Sequence, residues 1–126
     1  LYDSHYTERY METPQTNPEG YASARVLNYV SSYPVGTVPA GSASSVPGTH
    51  NAKPADVMLK ITHGTGDDNV HFQNTLQLVD ELQRNGKRFD FMVYPDGMHG
   101  YRGYQATHFR NENRAFWLMY LKGSGR

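Results

Sequence analysis

The second half of the chain alternates strand-like and helix-like segments, and this order restricts the fold more than any other feature of the sequence. Two runs rich in apolar residues, Val57–Thr62 and Phe89–Tyr94, are typical of buried strands. Between them, His71–Asn85 places apolar residues on one helical face, and Thr107–Lys122 predicts a second amphipathic helix. A strand, a helix and a strand in this order form a right-handed crossover with parallel, neighbouring strands. Residues 57–122 therefore predict an α/β strand–helix–strand–helix core with a parallel sheet.

The last predicted helix carries the largest group of aromatic residues in this core. We expect the following side chains of that helix to be buried: Phe109, Phe116, Trp117, Tyr120 and Leu121. The preceding helix is expected to stop at Gly86, a residue suited to the left-handed conformation that ends many helices.

The first half of the chain is less regular. Asp3–Met11 and Ala22–Val30 predict two short helices, which Pro14 helps to separate. Residues 33–56 are rich in Pro, Gly and Ser and have neither a strand nor a helix period. This composition predicts an exposed loop or an insertion.

Composition excludes several classes of function. Twelve Lys and Arg residues balance twelve Asp and Glu residues, so the chain lacks the basic excess of a nucleic-acid-binding protein. No apolar run approaches the ~18 residues that would predict a membrane span. With no cysteine, the chain has no disulfides and no thiolate metal site. Hydrophobic residues make up only 37% of the sequence, which is lean for a chain that must bury a core by itself.

Polar turns follow both predicted strands, at residues 63–69 and 95–100, and bring a carboxylate and an imidazole to the same sheet edge. Parallel neighbours lie ~4.8 Å apart, so Asp67 after the first strand and His99 after the second are expected to meet. A carboxylate that accepts a hydrogen bond from one ring nitrogen of a histidine fixes its tautomer and stabilises the imidazolium. This is the acid–base half of a Ser-His-Asp triad, in the chain order of α/β-hydrolases.

The neighbours of Asp67 have simpler interpretations. Asp68 and Asn69 are the expected caps of the helix that starts at His71, which leaves Asp67 for another role. His63 is expected to pack and hydrogen-bond at the end of its strand. We expect no metal site and no cofactor, because adjacent turn residues rarely converge on one ion.

The nucleophile of such a triad is absent from the sequence. No Gly-x-Ser-x-Gly motif occurs, and the serines at 42 and 124 lie in Gly- and Ser-rich stretches without that pattern. Residues 1–56 also cannot supply the strands that precede the acid in an α/β-hydrolase. We therefore interpret the chain as the C-terminal part of a larger enzyme.

Three ordered segments resemble one family. Residues 63–73 (HGTGDDNVHFQ) closely match the acid-bearing segment of the dipeptidyl peptidase IV-like serine peptidases, within the prolyl oligopeptidase family. Residues 2–11 (YDSHYTERYM) look like the segment downstream of that family's nucleophile, and residues 94–100 (YPDGMHG) resemble its histidine segment. The resemblance implies that residues 1–126 are the C-terminal βαβ-α portion of an α/β-hydrolase catalytic domain, with Asp67 as triad acid and His99 as triad base.

The resemblance also implies substrate-binding residues. Tyr2 matches a tyrosine of the oxyanion hole that borders the proline pocket, and Tyr6 matches a second wall of that pocket. Asn69 matches the asparagine that binds the carbonyl of the residue before the proline, and Arg9 an arginine near the substrate entrance. Flat aromatic walls suit a proline ring, and a phenol hydroxyl is a good donor to an oxyanion.

The implied activity is release of N-terminal Xaa-Pro dipeptides, and less readily Xaa-Ala, from peptides. The implied partners are that peptide substrate, the rest of the hydrolase domain, a β-propeller and a second copy of the protein; the implied location is periplasmic or extracellular. We expect the isolated 126 residues to be inactive without the serine. Two alternatives stay open: another α/β serine hydrolase such as an acylaminoacyl peptidase or oligopeptidase, and a non-catalytic stand-alone fragment.

Overall fold

The computed structural model describes residues 4–33 and 59–121. Tyr2 and nearly all of the predicted loop at 33–56 lie outside the described residues, as do Val57 and Met58 of the first predicted strand.

The first described segment contains two short α-helices and a 3-10 helix. Helix α1 spans Ser4–Met11, α2 spans Pro18–Ser23, and the 3-10 helix spans Val26–Tyr29. The prediction of one helix over Ala22–Val30 is wrong. Asn17 accepts a hydrogen bond from the Gly20 amide at 3.1 Å and so starts α2 before Ala22. Arg25 then takes an extended conformation, which interrupts the helix.

The second described segment contains the predicted strand–helix–strand–helix order. Strand β1 spans Lys60–Gly64, α3 spans Phe72–Arg84, β2 spans Asp90–Tyr94, and α4 spans Gly103–Leu121. Gly86 has a φ of 60° just past α3, so the predicted helix stop is confirmed.

Strands β1 and β2 are parallel neighbours, as predicted. Their five pairs run from Lys60 opposite Asp90 to Gly64 opposite Tyr94. Strand β1 extends past the predicted end at Thr62, because His63 and Gly64 pair with Val93 and Tyr94 and so belong to the sheet rather than to the turn.

Helix α4 differs from its prediction at both ends. It begins at Gly103, four residues before Thr107, because the amide of Ala106 already donates to the carbonyl of Arg102 at 3.3 Å. Near the other end, Trp117 is 50% exposed, so its predicted burial is wrong. Trp117 lies more than one helical turn past Glu112, whose carboxylate binds the ammonium of Lys60 on β1 at 3.1 Å.

The buried core of the described residues is small. Three hydrophobic residues there are buried: Val30, Leu82 and Tyr94. Lys87 on the loop after α3 donates to the carbonyl of Tyr33 at 2.7 Å, which links the two described segments. Across residues 4–33 and 59–121, no helix has the length and apolar character needed to cross a bilayer.

Candidate active site

The turns after the two strands are bonded to each other. We call residues 65–70, after β1, the acid turn, and residues 95–102, after β2, the histidine turn. The amide of Thr65 donates to Tyr94 at 3.0 Å, and the amide of Gly66 donates to the carbonyl of Gly97 at 3.0 Å. In return, the amide of Asp96 donates to the hydroxyl of Thr65 at 2.8 Å. These bonds fix the spacing of the two turns.

Gly64 permits this close approach. A Cβ atom at Gly64 would collide with the carbonyl oxygen of Gly97, so a larger residue would force the turns apart. Gly97 is itself buried against Tyr94. The sequence thus uses two glycines where the turns touch.

Asp67 and His99 meet at this edge, as their places in the sequence predict. Oδ2 of Asp67 lies 3.1 Å from Nδ1 of His99, within hydrogen-bonding distance. The side chain of Asp67 is 7% exposed and that of His99 is 48% exposed. The carboxylate is therefore shielded, while the imidazole reaches the surface.

The other carboxylate oxygen of Asp67 binds the backbone of its own turn. Oδ1 accepts hydrogen bonds from the amides of Asn69, at 3.0 Å, and Val70, at 2.9 Å. The expectation that Asp68 and Asn69 cap the next helix is wrong, because His71 holds the N-cap position and no side chain caps it. Asp67 therefore accepts hydrogen bonds from two backbone amides of its turn through Oδ1 and contacts His99 through Oδ2.

These contacts decide the charge of Asp67. Burial acts to raise its pKa, but the hydrogen bonds from Val70, His99 and Asn69 outweigh that effect and hold the pKa below its usual value of 3.8. Asp67 is therefore a carboxylate at neutral pH, able to orient His99 and to stabilise a positive charge on its ring.

His63 lies beneath the acid turn, buried at the end of β1. Its Nε2 atom is 2.8 Å from the carbonyl oxygen of Val70 and 3.3 Å from Oδ2 of Asp67. Its Nδ1 atom is 2.5 Å from the hydroxyl of Thr75 on α3. The prediction that His63 packs and hydrogen-bonds at the strand end is confirmed.

Tyr101 anchors the histidine turn. Its ring lies 4.2 Å from that of Tyr94, and its hydroxyl donates to Thr62 on β1 at 3.2 Å. Tyr94 is buried and reaches Nδ1 of His108 on α4 at 3.1 Å. Burial, followed by Tyr101 and Glu112, raises the pKa of Tyr94, so its hydroxyl stays protonated. Tyr101 thus holds the backbone two residues from His99, and no residue pattern indicated this contact.

Of the remaining predicted site residues, Asn69 adjoins the pair through its backbone amide, Tyr6 and Arg9 are on α1, and Tyr2 lies outside the described residues. The cleft beside the pair is lined by parts of β1, both turns and α4, among them His63, Met98 and Arg110. The lining given by the described residues includes neither Tyr6 nor Arg9, which lie exposed on α1, where the Tyr6 ring packs 5.1 Å from that of Tyr10. Asn69 has an exposed side chain on the acid turn.

A metal centre finds no support in the part of the chain that the structure describes. Within residues 4–33 and 59–121, no group of three or more His, Asp and Glu side chains has the arrangement of a metal site.

Backbone groups were the part of the site that residue types could not reveal. The amides of Asn69 and Val70 and the carbonyl of Val70 make three of the polar contacts of Asp67 and His63. Any residue except proline supplies the same amide and any residue the same carbonyl, so only the folded turn shows their use.

Comparison with known proteins identifies relatives across nearly the whole chain. The sequence model of the prolyl oligopeptidase family matches residues 1–124. A probable dipeptidyl-aminopeptidase B of Uncinocarpus reesii is 42% identical over 120 residues, and one of Neurospora crassa is 40% identical over 120 residues. Each match covers 94% of this chain but 11% of the relative, so the chain spans about a tenth of the length of these curated relatives.

A solved structure agrees with these matches. The crystal structure of Porphyromonas gingivalis dipeptidyl peptidase 4 superposes with a TM-score of 0.68 at 31% sequence identity. The superposition covers 91% of this chain and 13% of that protein. The similarity therefore concerns one segment of a much longer chain.

Proposed function

Because the chain belongs to the prolyl oligopeptidase family and carries the βαβ-α portion of an α/β-hydrolase fold, we propose that it supplies the acid and the base of a serine-type dipeptidyl peptidase. The observation that supports this most directly is the contact between the shielded carboxylate of Asp67 and Nδ1 of the accessible His99, at 3.1 Å. In this proposal the nucleophilic serine belongs to a part of the protein outside these 126 residues.

The proposed chemistry begins at the other ring nitrogen of His99. Nε2 takes the proton of the serine hydroxyl as the serine oxygen attacks the peptide carbonyl, and Asp67 stabilises the resulting imidazolium through Nδ1. The tetrahedral intermediate collapses when Nε2 gives that proton to the leaving amine, which leaves an ester on the serine. Water then attacks the ester with His99 again as base, which releases the dipeptide.

Substrate selection is proposed to involve residues on α1 and the acid turn. Tyr6 and Tyr2 would form the aromatic walls of a proline pocket, with the Tyr2 hydroxyl as an oxyanion donor, and the side-chain amide of Asn69 would bind the preceding carbonyl. Arg9 would lie near the substrate entrance. The exposed positions of Tyr6 and Asn69 leave both side chains accessible to a peptide.

The thin core supports the proposal that further protein packs on this segment. A two-stranded sheet is marginally stable by itself, and several large apolar side chains of the described residues are exposed, including Leu76 on α3 and Val93 on β2. The rest of the hydrolase domain is the proposed partner for these surfaces. A β-propeller, a second copy of the protein, an extracytoplasmic location and inactivity of the isolated segment belong to the same proposal.

A substrate panel tests this function in the full-length protein. We expect turnover of Ala-Pro and Gly-Pro chromogenic amides, slower turnover of Ala-Ala, and none of N-acylated amino acids. His99→Ala should lower kcat by roughly 10⁴-fold, since it removes the base that the triad requires. Turnover of acylated amino acids instead would favour an acylaminoacyl peptidase, and normal kcat in the variant would remove His99 from the mechanism.

A further inference from the structure

We propose that His63 is a positioning residue for Asp67, locking the acid turn so that Oδ2 stays directed at His99. The inference rests on the proposed function, because it assigns a role within the same acid–base pair. His63 is only 7% exposed, and the role proposed for it is exerted through Asp67.

The backbone amide and the backbone carbonyl of Val70 link Asp67 to His63. The amide of Val70 donates to Oδ1 of Asp67 at 2.9 Å, and its carbonyl lies 2.8 Å from Nε2 of His63. The same Nε2 atom lies 3.3 Å from Oδ2 of Asp67. One ring nitrogen therefore faces both the turn backbone and the carboxylate oxygen that contacts His99.

This arrangement fixes a hydrogen on Nε2 of His63. A carbonyl oxygen and a carboxylate oxygen both face Nε2, and neither can donate a hydrogen bond. Without a hydrogen, the lone pair of Nε2 would face the lone pairs of both oxygens, which is repulsive. On the opposite side, the hydroxyl of Thr75 lies 2.5 Å from Nδ1 and ties the ring to α3.

The contacts that His63 makes with the acid turn also affect His99. Oδ2 of Asp67 lies 3.1 Å from Nδ1 of His99 and 3.3 Å from Nε2 of His63, so it is held between two imidazole rings. With the His63 ring removed, the Val70 carbonyl loses its donor and the carboxylate loses one of the groups that hold its orientation. The Asp67–His99 hydrogen bond then lengthens or rotates, which affects the chemical step more than substrate binding.

A double-mutant cycle in the full-length protein tests this inference, with kcat and KM measured on an Ala-Pro chromogenic amide. Single variants His63→Asn and Asp67→Asn are compared with the double variant. We expect His63→Asn to lower kcat about 10²-fold with little change in KM, because small misplacements of catalytic groups cost that much. In the Asp67→Asn background the same substitution should cost little, since the carboxylate that it positions is already gone.

Two further variants provide the controls. His63→Gln places an amide N–H near the Nε2 position and should recover most of the kcat lost in His63→Asn. Leu82→Ala weakens the core without touching the site, so any loss it causes should be the same with and without Asp67→Asn. If His63→Asn does not fold, Thr75→Val, which removes only the tie to Nδ1, replaces it in the cycle with the same expected pattern.

The outcomes separate this inference from the proposed function. An equal loss from His63→Asn with and without the Asp67 carboxylate, or no loss at all, would overturn the positioning role while leaving the pair itself intact. Normal kcat in both Asp67→Asn and His99→Ala would instead overturn the proposed function.

Discussion

Asp67 combines two tasks that usually fall to different residues. One carboxylate oxygen accepts hydrogen bonds from the backbone amides of Asn69 and Val70, as in many turns that contain an aspartate. The other oxygen contacts His99. The turn bonds and the contact with His99 keep the buried carboxylate ionised, which is the state that the role proposed for it beside His99 requires. The contact with His99 was predictable from sequence because parallel strands bring their following turns together, whereas the use of turn amides was not.

The lowered pKa of Asp67 makes a prediction about acid stability. Because its folded-state pKa lies below 3.8, the unfolded chain takes up the proton first as the pH falls. The contribution of Asp67 to the free energy of unfolding is present above pH 3.8 and is lost as the pH falls through the lowered value. Urea unfolding from about pH 6 to pH 2 should show this loss, and Asp67→Asn should flatten it. An identical slope in both proteins would contradict the assigned pKa shift.

At the scale of elements, the order of strands and helices was predictable, and their ends were less so. The apolar runs identified β1 and β2, but the extension of β1 through His63 and Gly64 depends on pairing with β2, which lies 30 residues further along the chain. The early start of α4 and the break between α2 and the 3-10 helix depend on local backbone bonds and on Arg25. Residue patterns carry little information about such pairings and local backbone bonds.

The contact between the two turns predicts a severe effect of Gly64→Ala. The added Cβ would collide with the Gly97 carbonyl, so we expect a loss of about 1–3 kcal/mol in the free energy of unfolding. Gly100→Ala is the matched control, because a Cβ at Gly100 meets nothing within 4 Å. Equal unfolding midpoints for the two variants would show that the turns do not touch at Gly64.

Helix α3 offers a second matched pair. Leu82 is 1% exposed and Leu76 is 43% exposed on the same helix. Leu82→Ala should therefore lower the free energy of unfolding by about 2–5 kcal/mol, and Leu76→Ala by much less. The reverse order in urea unfolding of this chain would contradict the packing of α3. In the full-length protein Leu76→Ala should cost more, if further strands or helices cover it.

At the scale of the whole molecule, the described residues bring Asp67 and His99 together around a small core. A hydrophobic content of 37% predicted the small core, and the missing Gly-x-Ser-x-Gly pattern predicts that the nucleophile lies elsewhere. The structure adds that the described residues form a two-stranded sheet and bury three hydrophobic side chains. What packs on their exposed side chains could not be predicted, because an apolar surface residue does not by itself identify its partner.

Labelling with a fluorophosphonate probe, read by intact mass and peptide mapping, tests the central claim that this segment supplies the acid and base for a serine elsewhere in the protein. Such a probe reacts with a serine that a neighbouring base has activated. We expect no label on the 126-residue chain, one labelled serine outside it in the full-length protein, and far slower labelling in His99→Ala. A label on a serine of this chain, or an unchanged labelling rate in His99→Ala, would contradict it.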